Sequence, residues 1–334
     1  MKNSYSYIPF SNPLPITEHQ WDDDVTQVVS ISCLTYNHEL YIRDAIEGFL
    51  MQRTTFPVRI VIFEDCSTDN TAKIIKEYVA KYPNLFRAFC QPENTWGKPN
   101  RREAGKPFRE ERNKAKYIAV CEGDDYWTDP LKLQKQVDFL EENPEYSLVC
   151  GGFKSVNTVT GEEITAIKDV ENSIDNTEQG FDITLERFFK QWLTKTLTLV
   201  YRTELYNPND FKNYKYTRDV HLNYHLLKRG KGYYMKEVFG AYHIHSGGIF
   251  SSINENERFN TFYLVYKDLL NYNKDDVFLR RKVVHYLKKN ISKRAFRASP
   301  NMKRERLVLE LLFSTKSLGE LKSNLKLIIS TYIK

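Results

Sequence analysis

Features that would assign this chain to a membrane-spanning or secreted class are missing from its sequence. No uninterrupted apolar run reaches the roughly 18 residues that a transmembrane helix needs. The opening stretch, "MKNSYSYIPFSNPLPITEHQWDDD", has no apolar core of the kind that a signal peptide carries. The 5 cysteines are an odd set without a CxxC pair, which argues against a disulfide scaffold and a zinc ribbon. We therefore expect a reduced, cytoplasmic protein that neither crosses a membrane nor is secreted through a signal peptide.

Several nucleotide-binding and catalytic motifs are missing as well. No GxGxxG follows the first apolar strand, and neither GxxxxGK[ST] nor GxSxG occurs, so dinucleotide-binding, P-loop and hydrolase-elbow proteins are not supported. No zinc-finger or RNA-binding aromatic pattern is present, and nucleic acid is not an expected partner. A receiver-type signalling domain would also gather carboxylates around Mg²⁺, but it would be far shorter than this chain.

The charge is distributed unevenly along the chain. The net charge is +6, yet residues 274–334 alone carry +11, which leaves the preceding residues at −5. The chain ends in "LKSNLKLIISTYIK", which is both apolar and lysine-bearing. A basic tail of this kind fits three interpretations: peripheral contact with the anionic inner face of the plasma membrane, a solvated helical appendage, or a homodimer surface.

Apolar strands alternate with amphipathic helices in the first half of the chain. Four β-branched or apolar runs are "VVSISCL" (28–34), "VRIVIF" (58–63), "LFRAFC" (85–90) and "KYIAVC" (116–121). Segments with helical spacing of apolar residues, "IRDAIEGFLMQ" and "AKIIKEYVAKY", follow the first two runs, which predicts an α/β fold with a Rossmann-like, mostly parallel sheet. Pro130 suits the first turn of a helix, and "KGYYMKEVFGAYHIHSGG" (231–248) predicts a pair of strands. Beyond position 255 the pattern predicts helices with charged faces, the last of them "RERLVLELLFS". The predicted divisions are an N-terminal extension (1–26), one α/β domain (27–252, with halves 27–126 and 127–252) and a basic helical C-terminal region (253–334).

Polar clusters follow three of the predicted strands. These are "TYNHE", "EDCSTD" and "EGDD", and they should converge because ligands collect at the carboxyl ends of parallel strands. The third cluster crowds Glu122, Asp124 and Asp125, whose like charges repel unless something compensates them. Carboxylate oxygens suit Mg²⁺ or Mn²⁺, so a divalent site is one interpretation, and a solvated turn with a helix cap is the other.

Other candidate residues also allow two interpretations. Tyr36 is either a loop aromatic or a platform for base stacking. His243 and His245 alternate on a predicted strand and face one way before a flexible "SGG", so His245 has either a structural role or a role in a site. Asp219 is either a carboxylate that stabilises a helix N-terminus or a catalytic group. Asp65 directly precedes Ser67 and Asp69, which can cap the next helix.

The order of these segments resembles the family 2 glycosyltransferases with the GT-A fold. The matching stretches are "VSISCLTYNHELYI", "IVIFEDCSTDNT", "YIAVCEGDDYWTDPLKLQKQVDFLE", "RDVHL" and "YHIHSGG". The likeness covers about residues 27–250, and "EGDDYWTDPLKLQKQ" is typical of a bacterial branch that makes surface polysaccharides. The resemblance implies a GT-A domain followed by a helical C-terminal extension.

The resemblance assigns roles to the acidic cluster and to the histidines. Asp125 is similar to the family's metal ligand for Mn²⁺ or Mg²⁺, and Asp124 to the residue that contacts the ribose or the sugar. Glu122 stands where relatives often have Asp, which leaves direct ligation, a water-mediated contact and a sugar contact open. His245 matches a late histidine that approaches the metal or the diphosphate. His243 stands where relatives often carry Arg.

The resemblance also implies a UDP-sugar donor. Tyr36 matches the residue that stacks on the nucleobase, and Asp65 the acceptor for the imide N–H of uracil. The rest of the first loop, Thr35, Asn37 and Glu39, is expected to contribute to nucleotide-sugar binding.

Catalysis is expected from the second half of the domain. Asp219 resembles the family's catalytic carboxylate, although the residue before it, usually acidic, is Arg218 here. One base without a second nucleophile implies a single displacement with inversion. The expected function is an inverting, metal-dependent glycosyltransferase that acts on a growing bacterial surface glycan or a lipid-linked glycan. The alternative is a GT-A subunit that binds nucleotide sugars or carbohydrate without catalysis.

Overall fold

The structure is a computed structural model that describes residues 12–19, 27–167, 177–248 and 255–290. Two compact units are present: residues 1–211 together with 219–248, and residues 212–218 together with 249–334. The end of the basic tail, including "LKSNLKLIISTYIK", and the predicted helix "RERLVLELLFS" lie outside the described residues. The predicted domain boundaries at 26 and 252 therefore stay predictions.

The first half of the larger unit alternates strands and helices. Its elements are β1 (Leu14–Pro15), β2 (Val29–Thr35), α1 (Ile42–Leu50), β3 (Arg53–Thr54), β4 (Val58–Glu64), α2 (Thr71–Lys81), β5 (Phe86–Cys90), α3 (Arg101–Ala104), α4 (Lys106–Arg112) and β6 (Tyr117–Val120). The four apolar runs form β2, β4, β5 and β6, and each begins and ends within one residue of its predicted bounds. These strands pair in parallel in the order β6-β2-β4-β5, so their carboxyl ends share one edge.

The second half extends this sheet with mixed pairing. Its elements are β7 (Tyr126–Trp127), α5 (Lys132–Glu142), β8 (Tyr146–Asn157), β9 (Glu163–Ala166), β10 (Gly180–Ile183), α6 (Leu185–Lys190), β11 (Val200–Arg202), α7 (Asp219–Leu227) and β12 (Lys231–Ile244). The described sheet runs β10-β12-β8-β11-β6-β2-β4-β5, with β7 on β12 and β9 on β8. β11 is antiparallel to both β6 and β8, whereas β12 pairs in parallel with β8, so the predicted mostly parallel sheet is confirmed, with antiparallel strands added in the second half.

Two local predictions need correction. The segment 231–248, expected to form a pair of strands, forms the single long strand β12, whose register on β8 shifts around Val238. The helix expected from the first turn at Pro130 begins instead at Lys132. Asp129 still accepts a backbone hydrogen bond in the turn before this helix, from the Leu131 N–H to Asp129 Oδ1 at 2.7 Å.

Helix α1 packs tightly onto the second half of the sheet. Its buried residues repeat at helical spacing, and Phe49 packs edge-on against Trp127 at 4.9 Å between ring centroids. Gly48 faces the backbone of β7, where a Cβ would lie 2.8 Å from Trp127 N. This close approach fixes the strand that leaves the acidic cluster.

A buried polar network joins α5 to the turn before β11. The Lys132 side chain is fully buried, with its ammonium 4.1 Å from the Trp127 ring centroid and 2.7 Å from Gln136 Oε1. Trp127 Nε1 donates to Leu197 O at 2.6 Å, and Gln136 Nε2 donates to Thr198 O at 2.9 Å. The network therefore holds the 3₁₀ turn Thr196–Thr198 in place.

The smaller unit contains the helices α8 (Glu255–Tyr272) and α9 (Val277–Asn290), as the charged helical pattern predicts. Within this unit Asp268 Oδ2 accepts the backbone N–H groups of Lys215 and Tyr216 at 2.7 and 2.9 Å. Among the helices of the described residues, none is both long and apolar enough to cross a membrane.

Burial of Lys132 makes a prediction about stability and pH. Burial lowers the pKa of Lys132 to about 7, whereas an unfolded lysine titrates near 10.4. Between these values the unfolded chain binds more protons, so the free energy of unfolding rises with pH. We expect Lys132→Met to reduce that slope by up to about 1.4 kcal/mol per pH unit, measured by urea unfolding between pH 7 and 10.

The matched control is Lys135→Met, one turn further along on α5. Lys135 is half-buried and pairs with Asp129 and Glu237, and its pKa is raised rather than lowered. It should leave the slope unchanged. Equal slopes for wild type and Lys132→Met would contradict a neutralised buried lysine.

Candidate functional site

The loops after β2 and β4 are joined by reciprocal hydrogen bonds. The Asn37 N–H donates to Ser67 Oγ at 2.9 Å, and Asn37 Oδ1 accepts the Thr68 N–H at 2.8 Å. Glu39 Oε2 accepts from both the backbone N–H and the side-chain amide of Asn70, at 3.0 and 2.8 Å. Asn37 adopts a left-handed backbone with φ of 54°, which asparagine tolerates. Asn37 and Glu39 therefore hold the loops together, and their predicted contact with the nucleotide sugar stays a prediction.

Thr35 and Tyr36 lie at the start of the first loop. Tyr36 is 41% exposed, so its ring is open to a ligand. Thr35 is buried, and its Oγ1 is enclosed without a hydrogen-bond partner. A Cβ at position 123 would lie 2.7 Å from Thr35 Oγ1, which explains the glycine at that point of the acidic cluster. Thr35 thus packs under the cluster, and Tyr36 lies beside it.

Asp65 is buried and held by donors from the segment after β5. Its Oδ1 accepts from Thr95 N–H and Thr95 Oγ1 at 2.8 and 2.7 Å, and its Oδ2 pairs with Arg101 at 3.1 Å. The Arg101 guanidinium lies 4.6 Å from the ring centroid of Trp96, which is 49% exposed. Sequence reasoning missed Thr95, Trp96 and Arg101. The available signal was "NTWGKPNRRE", a polar stretch with an exposed tryptophan at the carboxyl end of a strand.

The alternative interpretation of the second cluster holds for Asp69. Its Oδ1 accepts the Thr71 N–H at 2.9 Å at the start of α2, and its Oδ2 accepts the Glu39 N–H at 3.0 Å. Although partial burial raises the pKa of Asp69, hydrogen bonds from Thr71 and Glu39 lower it further, so the net shift is downward. Asp69 is a structural carboxylate that binds the two loops.

The acidic cluster meets the end of β12, which brings together residues that are distant in the sequence. The His243 N–H donates to Asp125 Oδ1 at 3.1 Å, and His243 Nδ1 lies 2.7 Å from the Asp124 carbonyl oxygen. His245 Nε2 lies 3.2 Å from Asp124 Oδ2, and His38 Nε2 lies 3.7 Å from the same oxygen. The prediction that His243 and His245 face one way is confirmed, since both rings pack on Tyr41 with centroids 5.1 and 4.5 Å apart. Sequence reasoning missed His38.

The three carboxyl groups differ in their pKa. Burial and the charges of Asp124 and Glu122 raise the pKa of Asp125 well above its ordinary value. Burial and the Asp124 charge raise the pKa of Glu122 to about 7, and its Oε2 is enclosed without a partner. Burial also acts on Asp124, but the His245 hydrogen bond and the His38 charge outweigh it and lower its pKa. The described protein groups therefore compensate the charges of Asp125 and Glu122 only in part.

A divalent cation would compensate the remaining negative charge of these carboxylates. The described residues contain no group of three or more His, Cys, Asp or Glu side chains arranged to hold a metal ion by themselves. Mg²⁺ and Mn²⁺ sites commonly use one or two carboxylates and complete their coordination with substrate phosphates. The donor set of Asp125, Asp124 and His245, with the raised pKa of Asp125, fits such a shared site.

Asp219 reaches the same cluster from the second half of the unit. It is the first residue of α7, and its Oδ1 accepts the Val220 N–H at 3.0 Å. The charge of Asp219 contributes to the raised pKa of Glu122, whereas a hydrogen bond between Glu122 and Thr196 lowers that pKa. Asp219 therefore lies at a helix N-terminus and also close enough to the acidic cluster for its charge to act on Glu122.

Comparison with known proteins identifies the class. The family model "Glycosyl transferase family 2" matches residues 30–231, which is more than half of the chain. The chain belongs to glycosyl transferase family 2, and the sequence-based assignment to that family is confirmed.

Relatives and solved structures agree with this assignment. The chain is 35% identical over 230 residues to Rv1520, an uncharacterized protein of Mycobacterium tuberculosis; the match covers 69% of this chain and 62% of the relative's length. It is 24% identical over 243 residues to TuaG of Bacillus subtilis, whose name describes a glycosyltransferase of teichuronic acid biosynthesis, with 72% of this chain and 88% of TuaG covered. A crystal structure of S. aureus TarS 1-349 in complex with UDP-GlcNAc matches with a TM-score of 0.58 at 20% identity, covering 85% of this chain and 79% of that one. The predicted GT-A fold is thereby confirmed.

The opposite pKa shifts of Asp125 and Asp69 make a paired prediction. A carboxyl group whose folded pKa is raised destabilises the fold as the pH rises above its unfolded value near 3.9. Asp125→Asn should therefore be more stable than wild type at pH 7 without divalent cations, with the difference disappearing near pH 3. Thermal unfolding across this pH range measures both effects.

Asp69→Asn is the matched control of opposite sign. Its lowered pKa stabilises the fold above the unfolded value, and this stabilisation is lost as the pH falls through the folded pKa. Asp69→Asn should be less stable than wild type at pH 7. If both variants shifted in the same direction, the charge imbalance assigned to the cluster would be wrong.

Proposed function

We propose that the protein is an inverting, divalent-cation-dependent glycosyltransferase that moves a sugar from a UDP-sugar donor to a hydroxyl group of a bacterial surface glycan. The observation that carries this proposal is the acidic cluster at the end of β6, where burial and the neighbouring carboxylates raise the pKa of Asp125 and of Glu122. Membership of glycosyl transferase family 2 supports the reaction class. The divalent cation that a nucleoside diphosphate brings would supply positive charge at this cluster.

The nucleotide is held by the loops at the carboxyl ends of β2, β4 and β5. The exposed rings of Tyr36 and Trp96 offer stacking surfaces, and the buried Asp65 carboxylate is an acceptor for the imide N–H of uracil. Arg101 and Thr95 fix that carboxylate in one orientation before a ligand arrives. The TarS structure in complex with UDP-GlcNAc, a protein of the same fold, supports a uridine nucleotide as the donor class.

Asp125 and His245 would hold the cation, and Asp124 would contact the ribose or the sugar. The His243 N–H and the His245 ring fix the two carboxylates, so little reorganisation is required on binding. When bound, the cation supplies Lewis-acid stabilisation of the negative charge on the departing diphosphate. The half-buried Glu122 is left to face the sugar or a water molecule.

Asp219 is the proposed base. The acceptor hydroxyl must lose a proton as the glycosidic bond forms, and a carboxylate on the opposite face from the diphosphate can accept it. A single base and a single displacement invert the anomeric configuration. Two other carboxylates of this half are already in ion pairs: Asp210 with Arg229 at 2.7 Å, and Glu237 with Lys135.

A surface glycan is the proposed acceptor class. TuaG, which aligns over 88% of its length, bears the name of a glycosyltransferase of teichuronic acid biosynthesis, which supports a glycan acceptor. The C-terminal helix α9 carries part of the basic region that would favour an anionic lipid-linked acceptor. A membrane contact and a homodimer remain proposals that rest on sequence charge.

The direct test of the function is a donor screen. Purified protein is incubated with a panel of UDP-sugars and Mn²⁺, with Mg²⁺ and chelator as parallel conditions, and released UDP is measured. The proposal expects slow, metal-dependent hydrolysis of at least one UDP-sugar. Tight UDP binding with no turnover of any donor or acceptor would favour a non-catalytic subunit instead.

Asp219→Asn tests the base. An Asn side chain can still accept at the helix start, so the fold and UDP affinity should persist. Loss of a positioned base should lower sugar transfer on the order of 10²- to 10⁴-fold. Transfer rate and UDP affinity are measured on the same preparation.

Glu237→Gln is the control for that test, since it removes a carboxylate whose described partner is Lys135 rather than the acidic cluster. It should transfer at nearly the wild-type rate. If Asp219→Asn kept near wild-type transfer while Glu237→Gln lost it, the assignment of the base would move to Glu237.

A further inference from the structure

A lysine near the acidic cluster packs on aromatic rings instead of pairing with a carboxylate of the described residues. Among the described residues, the Lys195 ammonium contacts two aromatic rings, Tyr242 with 3.8 Å and Phe153 with 5.7 Å to the ring centroid, and no carboxylate lies within ion-pair distance. The Lys195 side chain is half-buried. The lysine side chain is flexible, but contact with an aromatic ring restricts its ammonium group. The positive charge of Lys195 is therefore held in one position.

Strand pairing brings Tyr242 to the acidic cluster. β7 and β12 are antiparallel, with Gly240 opposite Trp127 and Ala241 opposite Tyr126. Continuing this register by one residue sets Tyr242 opposite Asp125. Residues directly opposite in an antiparallel pair extend to the same face, so the ring that carries Lys195 lies beside the cluster. In agreement, the N–H of the next residue on β12, His243, donates to Asp125 Oδ1 at 3.1 Å.

The backbone that carries Lys195 is fixed on both sides. Asn223 Nδ2 on α7 donates to Thr194 Oγ1 at 2.7 Å. Trp127 Nε1 donates to Leu197 O at 2.6 Å, and Thr198 Oγ1 donates to Gly151 O at 3.1 Å. Lys195 therefore keeps its position without a ligand, which is what a preorganised binding group requires.

Other cations near the proposed donor site are already in use. Arg101 is paired with Asp65 at 3.1 Å. Lys132 is enclosed between Trp127 and Gln136, and its pKa is lowered to about 7 by burial. Lys195 is thus a cation whose charge is still available to an incoming anion.

We propose that Lys195 binds an anionic oxygen group of the nucleotide-sugar donor, either a diphosphate oxygen or a carboxylate on the transferred sugar. This inference rests on the proposed function, because the anion belongs to the donor. An ammonium to phosphate or carboxylate contact is a charge-assisted hydrogen bond, which is stronger than a neutral one. Lys195 is accordingly a determinant of donor affinity and not a participant in proton transfer.

The test is calorimetric titration of the full chain with UDP, UDP-N-acetylglucosamine and UDP-glucuronic acid in the presence of Mn²⁺. Wild type is compared with Lys195→Met, Lys195→Arg and the control Lys81→Met. Lys81 lies over the Tyr82 ring at 5.0 Å at the C-terminal end of α2, so its variant removes a similar ring contact away from the site. Thermal unfolding of each variant checks that the fold is retained.

The expected result is that Lys195→Met weakens binding by about tenfold or more, while Lys195→Arg recovers most of it and Lys81→Met changes nothing. Loss of affinity for all three ligands assigns the contact to the diphosphate. Loss with UDP-glucuronic acid alone assigns it to a sugar carboxylate.

Two outcomes would overturn the inference. One is equal affinity of wild type and Lys195→Met for all three ligands. The other is a general loss of affinity with a lowered melting temperature that Lys195→Arg does not recover, which would make the role structural. Wild type that binds none of the ligands would overturn the proposed donor class itself, and this outcome is visible before any variant is compared.

Discussion

Three carboxyl groups within four positions, at the carboxyl end of a buried strand, are the feature on which the candidate site depends. Their charges cannot be buried together without compensation, and the fold provides only part of it. Asp125 receives a backbone N–H from β12, and Asp124 faces two imidazoles. What remains is the unpartnered Oε2 of Glu122 and the raised pKa of Asp125. A divalent cation that binds together with the substrate would compensate the remaining negative charge.

Much of the surrounding structure holds this cluster in place. Gly123 allows the loop to pack on Thr35, where a Cβ would lie 2.7 Å from the threonine hydroxyl oxygen. The loops after β2 and β4 are joined by Asn37 and Glu39. The turn before β11 is held through Trp127. A polar site built this way is preorganised, because its groups are oriented by hydrogen bonds that exist before a ligand binds.

The sequence predicts the parts of this fold that depend on short-range pattern. The runs that form β2, β4 and β6 are visible because a strand buried on both faces is largely apolar, and the shorter run of β5 is visible although that strand is only partly buried. The polar segments that follow these strands then indicate the edge of the sheet where the carboxyl ends of the parallel strands meet. By contrast, the unbroken strand β12 was taken for two strands, since its register shift on β8 is a property of the pairing and not of the segment alone.

Contacts within the site are harder to derive from sequence. Asp65 was singled out, but its pairing with Arg101 and Thr95 depends on how the segment after β5 folds back. His38 and His245 meet the same carboxylate although about 200 residues separate them, and no local pattern reports this. Lys195 carries no motif at all, and its placement follows from the register of β7 on β12. The predicted roles of Tyr36, Asp124, Asp125, His245 and Asp219 remain predictions.

The measurement that tests the account most directly is thermal unfolding of the wild-type protein in four conditions: without ligand, with Mn²⁺, with UDP, and with both. If the acidic cluster is completed by a cation and a diphosphate together, each should raise the melting temperature little by itself, and the pair should raise it by clearly more than the sum of the two. Strictly additive shifts, or no shift with both present, would contradict a shared cation and diphosphate site at Asp125.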